Sequence, residues 1–242
     1  MKDLHTHLLY GIDDGCKSLE EAITLIKKMR DAGTKEIIIT PHYINHSKFQ
    51  CNNHDKAKIL DDLLNEVEKQ KIDIKIYLGN EVFYTRHFLE LLKKKEICTL
   101  NNSRYLLFEF PLNNYNQGLA ENISKIISKG YVPVLAHPER YRVFLDTPDL
   151  IEEFLRMGVL MQGNYTSLFG KYGRGPKKLL KYYIKKGWIS FLGSDTHRDY
   201  NCNLKRLERK LHHLNKNKDY IYDILEGNFD KVIENKDIAM IR

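Results

Sequence analysis

Short apolar runs alternate with amphipathic stretches along the whole chain. "KDLH" near the start opens the series, followed by "KEIIIT" (35–40), "IKIYLG" (74–79), "RYLLFEF" (104–110), "YVPVLA" (131–136), "GVLMQG" (158–163) and "WISFLG" (188–193). These runs do not alternate apolar with polar, and β-branched and aromatic residues are frequent in them. That is the pattern of strands buried on both faces of a parallel sheet. The stretches between them have helical periodicity. "SLEEAITLIKKMRDAG" opens with Ser18 and Glu21 in capping-box spacing and ends on Gly33. Similar periodicity runs through 54–71, 118–130, 149–158, 176–187 and 203–216. Strand then helix, about seven times over, predicts a parallel α/β fold. No Gly/Ser/Pro-rich linker divides the chain, so residues 1–242 are expected to form a single domain.

The chemistry falls at one place in each unit. His5 and His7 follow the first run, His42 ("IIITPHY") the second, Glu81 ("IYLGNEVFY") the third, His137 ("PVLAHPERY") the fifth, and Asp195 and His197 ("FLGSDTH") the seventh. Residues at the carboxyl ends of parallel strands converge on one face of a barrel. This favours a closed or nearly closed barrel over an open sheet, and a metal site of more than one ion over scattered loop histidines. Imidazole and carboxylate without thiolate suit zinc, manganese or iron. "DDG" (13–15) is also a turn signal, and spacing alone does not choose between Asp13 and Asp14. His46, His54, His87, His212 and His213 read as surface residues.

Composition narrows the picture further. The 242 residues carry a net charge of +7, mostly from lysine, in clusters such as "GPKKLLKYYIKKG". No nucleic-acid recognition motif accompanies that charge, which reads as solvated helix faces and also suits an anionic substrate such as a phosphate ester. Cys16, Cys51, Cys98 and Cys202 are far apart and form no CxxC pair, so reduced thiols and a cytoplasmic location are expected. No apolar h-region opens the chain, and no apolar run reaches about 18 residues, so no membrane insertion is expected.

With "DLHTHLLYGIDDG", "TPHY", "GNEVFYT", "LLFEF", "HPERY" and "GSDTH" in place, the chain resembles the PHP (polymerase and histidinol phosphatase) superfamily of metal-dependent phosphoesterases. Within it, "GIDDG" and "AHPERY" are similar to the bacterial manganese-dependent protein-tyrosine phosphatases of capsule and exopolysaccharide biosynthesis. The resemblance implies a distorted seven-stranded (β/α)7 barrel of PHP/TIM-like type. It implies a ligand set of His5, His7, Asp14, His42, Glu81, His137, Asp195 and His197, with Glu81 bridging two ions and Asp14 chosen over Asp13. Two to three divalent ions are implied, manganese foremost and iron or zinc as alternatives. The implied substrate is a phosphotyrosine protein, the tail of a bacterial tyrosine kinase.

One departure from that pattern matters. An arginine commonly follows SDxH by about five residues in these phosphatases, and Cys202 stands there in this chain. Arg198 or Arg206 is the candidate replacement. Arg140 of "HPERY" is intact, expected to hold phosphoryl oxygens through its planar guanidinium or to pair with a ligand carboxylate. A metal-held hydroxide, and no cysteine thiolate, is the expected nucleophile. No leaving-group acid is evident. Tyr43, Tyr84 and Tyr141 stand near strand ends, as pocket lining or as packing. The alternatives are a small-molecule phosphatase such as histidinol-phosphate phosphatase, a non-catalytic binding module, and a DNA-repair exonuclease. The last is disfavoured because no polymerase domain adjoins.

Overall fold

The computed structural model describes residues 1–114, 118–200 and 202–239. Its strands are β1 (Lys2–Thr6), β2 (Glu36–Ile39), β3 (His42–Tyr43), β4 (Lys75–Leu78), β5 (Glu81–Phe83), β6 (Tyr105–Glu109), β7 (Val132–Ala136), β8 (Leu160–Asn164) and β9 (Phe191–Gly193). All pair in parallel, in a three-stranded sheet β1-β2-β4 and a six-stranded sheet β3-β5-β6-β7-β8-β9. The larger helices between them are α1 (Leu19–Ala32), α2 (Asn53–Lys69), α4 (Leu119–Ser128), α6 (Ile151–Met157), α7 (Arg174–Lys186) and α8 (Leu204–Leu214). Two short helices, α3 (Phe88–Lys93) and α5 (Arg142–Asp146), and a C-terminal pair, α9 (Lys218–Tyr222) and α10 (Asn228–Ile233), go beyond the predicted elements.

The seven predicted runs are all present, as β1, β2, β4, β6, β7, β8 and β9, and two short strands lie beyond them in the other sheet: β3 follows β2 after Thr40–Pro41, and β5 follows β4 after Gly79–Asn80. Pro41 has no N–H to give a ladder. Asn80 clamps both junctions: its Nδ2 donates to the Pro41 carbonyl (2.9 Å) and its Oδ1 accepts from the Cys98 N–H (3.0 Å). Space is tight at Gly79, where a Cβ would lie 2.7 Å from Leu100 Cδ2 and 3.3 Å from Leu100 Cα. His42 and Glu81 therefore do not trail their strands, as predicted. They open new ones and stand opposite each other in the β3–β5 register. The expected continuous ladder of seven strands is thus replaced by two sheets. At their far edges, the segment after β9 meets β1 through a parallel Thr6–Thr196 bridge, with Asp195 N–H to the His5 carbonyl (3.0 Å) and His7 N–H to the Thr196 carbonyl (2.8 Å).

Two apolar clusters hold the layers. The smaller contains Leu4, Ile38, Leu107, Val134, Ala136, Leu160 and Phe191 from the strands and Phe229 and Val232 from α10. The larger lies between strands and helices. The register of β1 against β2 shifts between Asp3 and Thr6. Such an irregularity lets neighbouring residues share a face: Leu4 packs in the smaller cluster while His5 meets Gln162, two residues along the same face of β8 from Leu160. α1 buries Ala22, Ile23, Leu25, Ile26 and Met29, each large side chain contributing roughly 1.5–3 kcal/mol. The Ser18 side chain accepts from the Glu21 N–H, and Gly33 closes the helix at φ 104°. Tyr43 and Tyr141 are fully buried packing residues, whereas Tyr84 lines a groove.

Candidate metal centre

β1 delivers His5 and His7 to one end of the sheets, and the loop after it delivers Asp13 and Asp14. His42 and Glu81 arrive from the paired starts of β3 and β5. His137 follows β7, and Asp195 and His197 follow β9. All eight predicted ligand positions converge. Glu81, fully buried, is the hub: its Oε2 lies 3.1 Å from His5 Nε2, 3.3 Å from His7 Nε2 and 3.1 Å from His42 Nδ1, and its Oε1 lies 3.0 Å from His137 Nε2. Asp195 Oδ1 lies 3.4 Å from both His7 Nε2 and His197 Nδ1. Asp14 Oδ1 is 3.3 Å from His197 Nε2 and 3.6 Å from His42 Nε2.

The structure separates Asp13 from Asp14. Asp14 joins His7, His42 and His197 as one set of potential ligands. Asp13 stands behind it: Oδ2 accepts from His7 Nδ1 (2.8 Å) and the His42 N–H (3.0 Å), and Oδ1 accepts from the Gly15 N–H (2.9 Å). A carboxylate on the far ring nitrogen fixes the tautomer of a ligating histidine. Gln162 does the same for His5, its Oε1 lying 2.7 Å from Nδ1.

Glu109, at the end of β6, is a further member that the sequence reading missed. Its Oε1 is 3.2 Å from His42 Nδ1 and its Oε2 3.7 Å from His137 Nε2, and His42, Glu81 and Glu109 form a second potential ligand set. Its position at a strand end was the available signal. His137 and Asp195 hold φ of 36° and 53°. Non-glycine residues in that region carry strain that the surroundings must offset, and such strain clusters at functional sites.

The electrostatics describe a group short of cations. Burial pulls the His5 imidazole down, but Glu81 and Asp195 outweigh it and hold its pKa at about 9. Burial is likewise outweighed at Glu81 and Asp195, which the imidazoles keep well below the usual carboxylate range. His5 Nε2 and His7 Nε2 face each other at 3.1 Å. Buried His42 Nδ1, Glu81 Oε2 and His137 Nδ1 take no hydrogen bond, although buried polar atoms are normally satisfied. The donor atoms stand 3.0–3.7 Å apart. Metal–ligand bonds of about 2.0–2.2 Å give shells with ligand–ligand edges of roughly 2.9–3.6 Å. Donor type, orphaned atoms and spacing all fit divalent ions.

Arg140 is mostly buried beside this group. Its Nη1 donates to Asp195 Oδ2 (3.0 Å), and its guanidinium lies 4.4 Å over the Tyr172 ring. The ion-pair alternative for Arg140 is therefore realised, with one donor used. Tyr172 Oη (3.2 Å) and Asn164 Nδ2 (2.8 Å) also donate to Asp195 Oδ2. Arg198 is exposed, and its Nε donates to the Gly15 carbonyl (3.2 Å), on the loop that carries Asp13 and Asp14. Arg206 lies on α8 over the Phe169 ring (5.2 Å). Cys202 packs against the large core cluster.

A family model described as capsular polysaccharide synthesis, CpsB/CapC, matches residues 1–234. CapC of Staphylococcus aureus is 37% identical over 198 residues, covering 81% of this chain and 77% of that protein. The tyrosine-protein phosphatase CpsB of Streptococcus pneumoniae is 33% identical over 205 residues, covering 81% and 83%. A chain from the crystal structures of YwqE from Bacillus subtilis and CpsB from Streptococcus pneumoniae, described as metal-dependent tyrosine phosphatases, superposes with a TM-score of 0.91. It is 26% identical, with 100% and 97% of the two chains covered. A phosphotriesterase homology protein from Escherichia coli shares the fold at a TM-score of 0.60 and 11% identity, covering 96% and 98%. The chain belongs to the CpsB/CapC family of capsular polysaccharide synthesis proteins.

Proposed function

We propose that this protein is a metal-dependent protein-tyrosine phosphatase that hydrolyses phosphotyrosine on a bacterial tyrosine kinase tail in capsule or exopolysaccharide synthesis. The observation that carries the reading is the convergence of five imidazoles with Asp14, Glu81 and Asp195 around atoms that lack partners. We assign His5, His7, Asp14, His42, Glu81, His137, Asp195 and His197, with Glu109 added, as ligands of two to three divalent ions, manganese foremost. Ions bound there supply charge neutralisation and a nucleophile available near neutral pH. We read residues 1–242 as one domain, the two sheets as one distorted seven-unit barrel, and the free cysteines as fitting a reducing cytoplasm.

The chain's own residues do the rest. Asp13 and Gln162 take His7 Nδ1 and His5 Nδ1, leaving both Nε2 atoms aimed inward. Tyr172 and Asp195 fix the Arg140 plane, and its remaining N–H donors, which meet no partner among the described residues, can clasp phosphoryl oxygens. Arg198, tethered to Gly15, supplies a second cation at the rim. No thiolate takes part: burial raises all four thiols, Cys16 and Cys202 to about 12, far from the low pKa of a nucleophilic cysteine, and Arg104, in C-x5-R spacing after Cys98, pairs instead with Asp237 (2.6 Å). A tyrosyl phenolate, with pKa near 10, needs only modest help to leave.

The test is a substrate panel with manganese-loaded enzyme. A phosphotyrosyl peptide should exceed histidinol phosphate in kcat/KM by orders of magnitude, and the reverse order would overturn the assignment.

A further inference from the structure

A groove of about 1040 Å³ is lined by residues at and just beyond the ends of β3, β5 and β6 and by α4. Its floor is Ile44, Phe83 and Pro111. Each lies two residues beyond a member of the centre, namely His42, Glu81 and Glu109. Residues two apart on a strand share a face and stand about 7 Å apart. Of the three only Phe83 is itself on a strand, where it shares the face of Glu81; Ile44 and Pro111 stand just past the ends of β3 and β6, and β3, β5 and β6 are consecutive in their sheet. Phe83 therefore brings the groove to within about 7 Å of Glu81 along β5, roughly one tyrosine side chain.

The walls give the groove its chemistry. Tyr84 is half-buried, and its hydroxyl accepts from Asn122 Nδ2 (2.9 Å), which pins the ring to α4. Arg86 is exposed and has no ion-pair partner among the described residues. Lys125 is 59% exposed and meets Glu121 at 2.7 Å, one turn away on α4. An exposed pair of this kind is worth little and yields readily to a competing carboxylate. The volume lies at the upper limit of about 1,000 Å³ for drug-sized ligand sites. A small phosphate ester would leave most of it empty.

We infer that this groove binds the peptide segment flanking the phosphotyrosine, with Arg86 and Lys125 selecting an acidic flank. The inference rests on the phosphatase reading and names the substrate class of that same site. Ile44, Phe83 and Tyr84 cover the apolar side of an extended peptide. Arg86 and Lys125 meet its carboxylates, or a second phosphate, beyond the hydrolysed tyrosine.

The test uses three substrates with the manganese-loaded full chain: a phosphotyrosyl peptide with acidic flanks, the same peptide with neutral flanks, and para-nitrophenyl phosphate. Wild type should favour the acidic peptide over the neutral one by about tenfold in kcat/KM at low salt. R86A/K125A should bring that ratio to about one and lower the peptide-to-nitrophenyl ratio in step. R86E should reverse the preference, to the neutral peptide over the acidic one, a reversal that loss of structure would not produce. Both side chains are exposed, and a circular dichroism melt checks the fold of each variant. An acidic-to-neutral ratio that R86A/K125A leaves unchanged overturns the groove assignment while the phosphatase reading stands. Turnover of para-nitrophenyl phosphate without turnover of either peptide overturns both.

Discussion

Asp13 and Asp14 are adjacent carboxylates with different expected roles, and Asp13→Asn separates them. In wild type Asp13 accepts three hydrogen bonds, from His7 Nδ1 at 2.8 Å, the His42 N–H at 3.0 Å and the Gly15 N–H at 2.9 Å. An asparagine of the same shape keeps one oxygen and turns the other acceptor into a donor that faces an N–H. The His7 ring loses its anionic anchor, and one buried donor is left unmet. Removing such an outer partner costs about 10–100-fold in metal affinity, or roughly 1.4–2.8 kcal/mol. The unmet donor costs about 1–3 kcal/mol of stability, and each kcal/mol lowers Tm by about 2–4 °C in a chain of this size. The assay is titration of manganese into chelator-stripped protein, reading bound equivalents and para-nitrophenyl phosphate turnover together. Asp13→Asn should reach wild-type stoichiometry and near wild-type turnover, with its midpoint moved to about 10–100-fold higher manganese. Asp14→Asn should lose metal or turnover that excess manganese does not restore. The reasoning is refuted if Asp13→Asn loses an equivalent permanently while Asp14→Asn binds metal as wild type does.

Other consequences follow from the same geometry. Glu109→Gln removes a carboxylate 3.2 Å from His42 Nδ1 and should weaken metal binding, read by elemental analysis after dialysis against limiting manganese. Arg140→Lys keeps the charge but loses the planar stack on Tyr172 at 4.4 Å, so kcat/KM should fall by about 10²-fold with the fold intact. Gly15→Ala would put a Cβ 2.1 Å from the His7 carbonyl oxygen, so it should displace the Asp13–Asp14 loop and lower both metal content and Tm. The metal-free protein should also lose stability with rising pH. Against burial, Glu81 and Asp195 raise the His5 pKa from 6.5 to about 9. That stabilisation is complete below pH 6.5 and disappears as pH passes through 9. A Tm series on chelator-treated protein should fall over that window, and a metal-loaded series should fall less.

What the sequence made legible was the placement of the candidate ligands near strand ends. HxH, TPH, HPERY and SDTH each sit directly after a short apolar run, and parallel topology brings such positions to one face. Glu109 was hidden because "LLFEF" reads as one buried run, and a single carboxylate at its end has no motif around it. The β5–β6 register, pairing Phe83 with Glu109, brings it beside the Glu81 strand, and register is a tertiary property. Gln162 and Asn164 were equally silent, being polar residues inside a strand with their purpose 30 or more residues away. Tyr172 reaches Asp195 from a loop with no local signal. The strand breaks were partly written: Pro41 announces one, whereas the Asn80 clamp depends on Cys98 and Pro41 meeting it in space. The C-terminal α9 and α10 lie beyond the last repeat, so the strand–helix rhythm gave no place for them.

The central claim is that "HTH" is one corner of a catalytic metal cluster. Its most direct test is elemental analysis of protein purified without chelator, paired with para-nitrophenyl phosphate turnover before and after added manganese. Two or three metal equivalents, with turnover lost on chelation and restored by manganese, is the predicted result. Stoichiometric protein with little metal, and no turnover once manganese is supplied, would contradict the account.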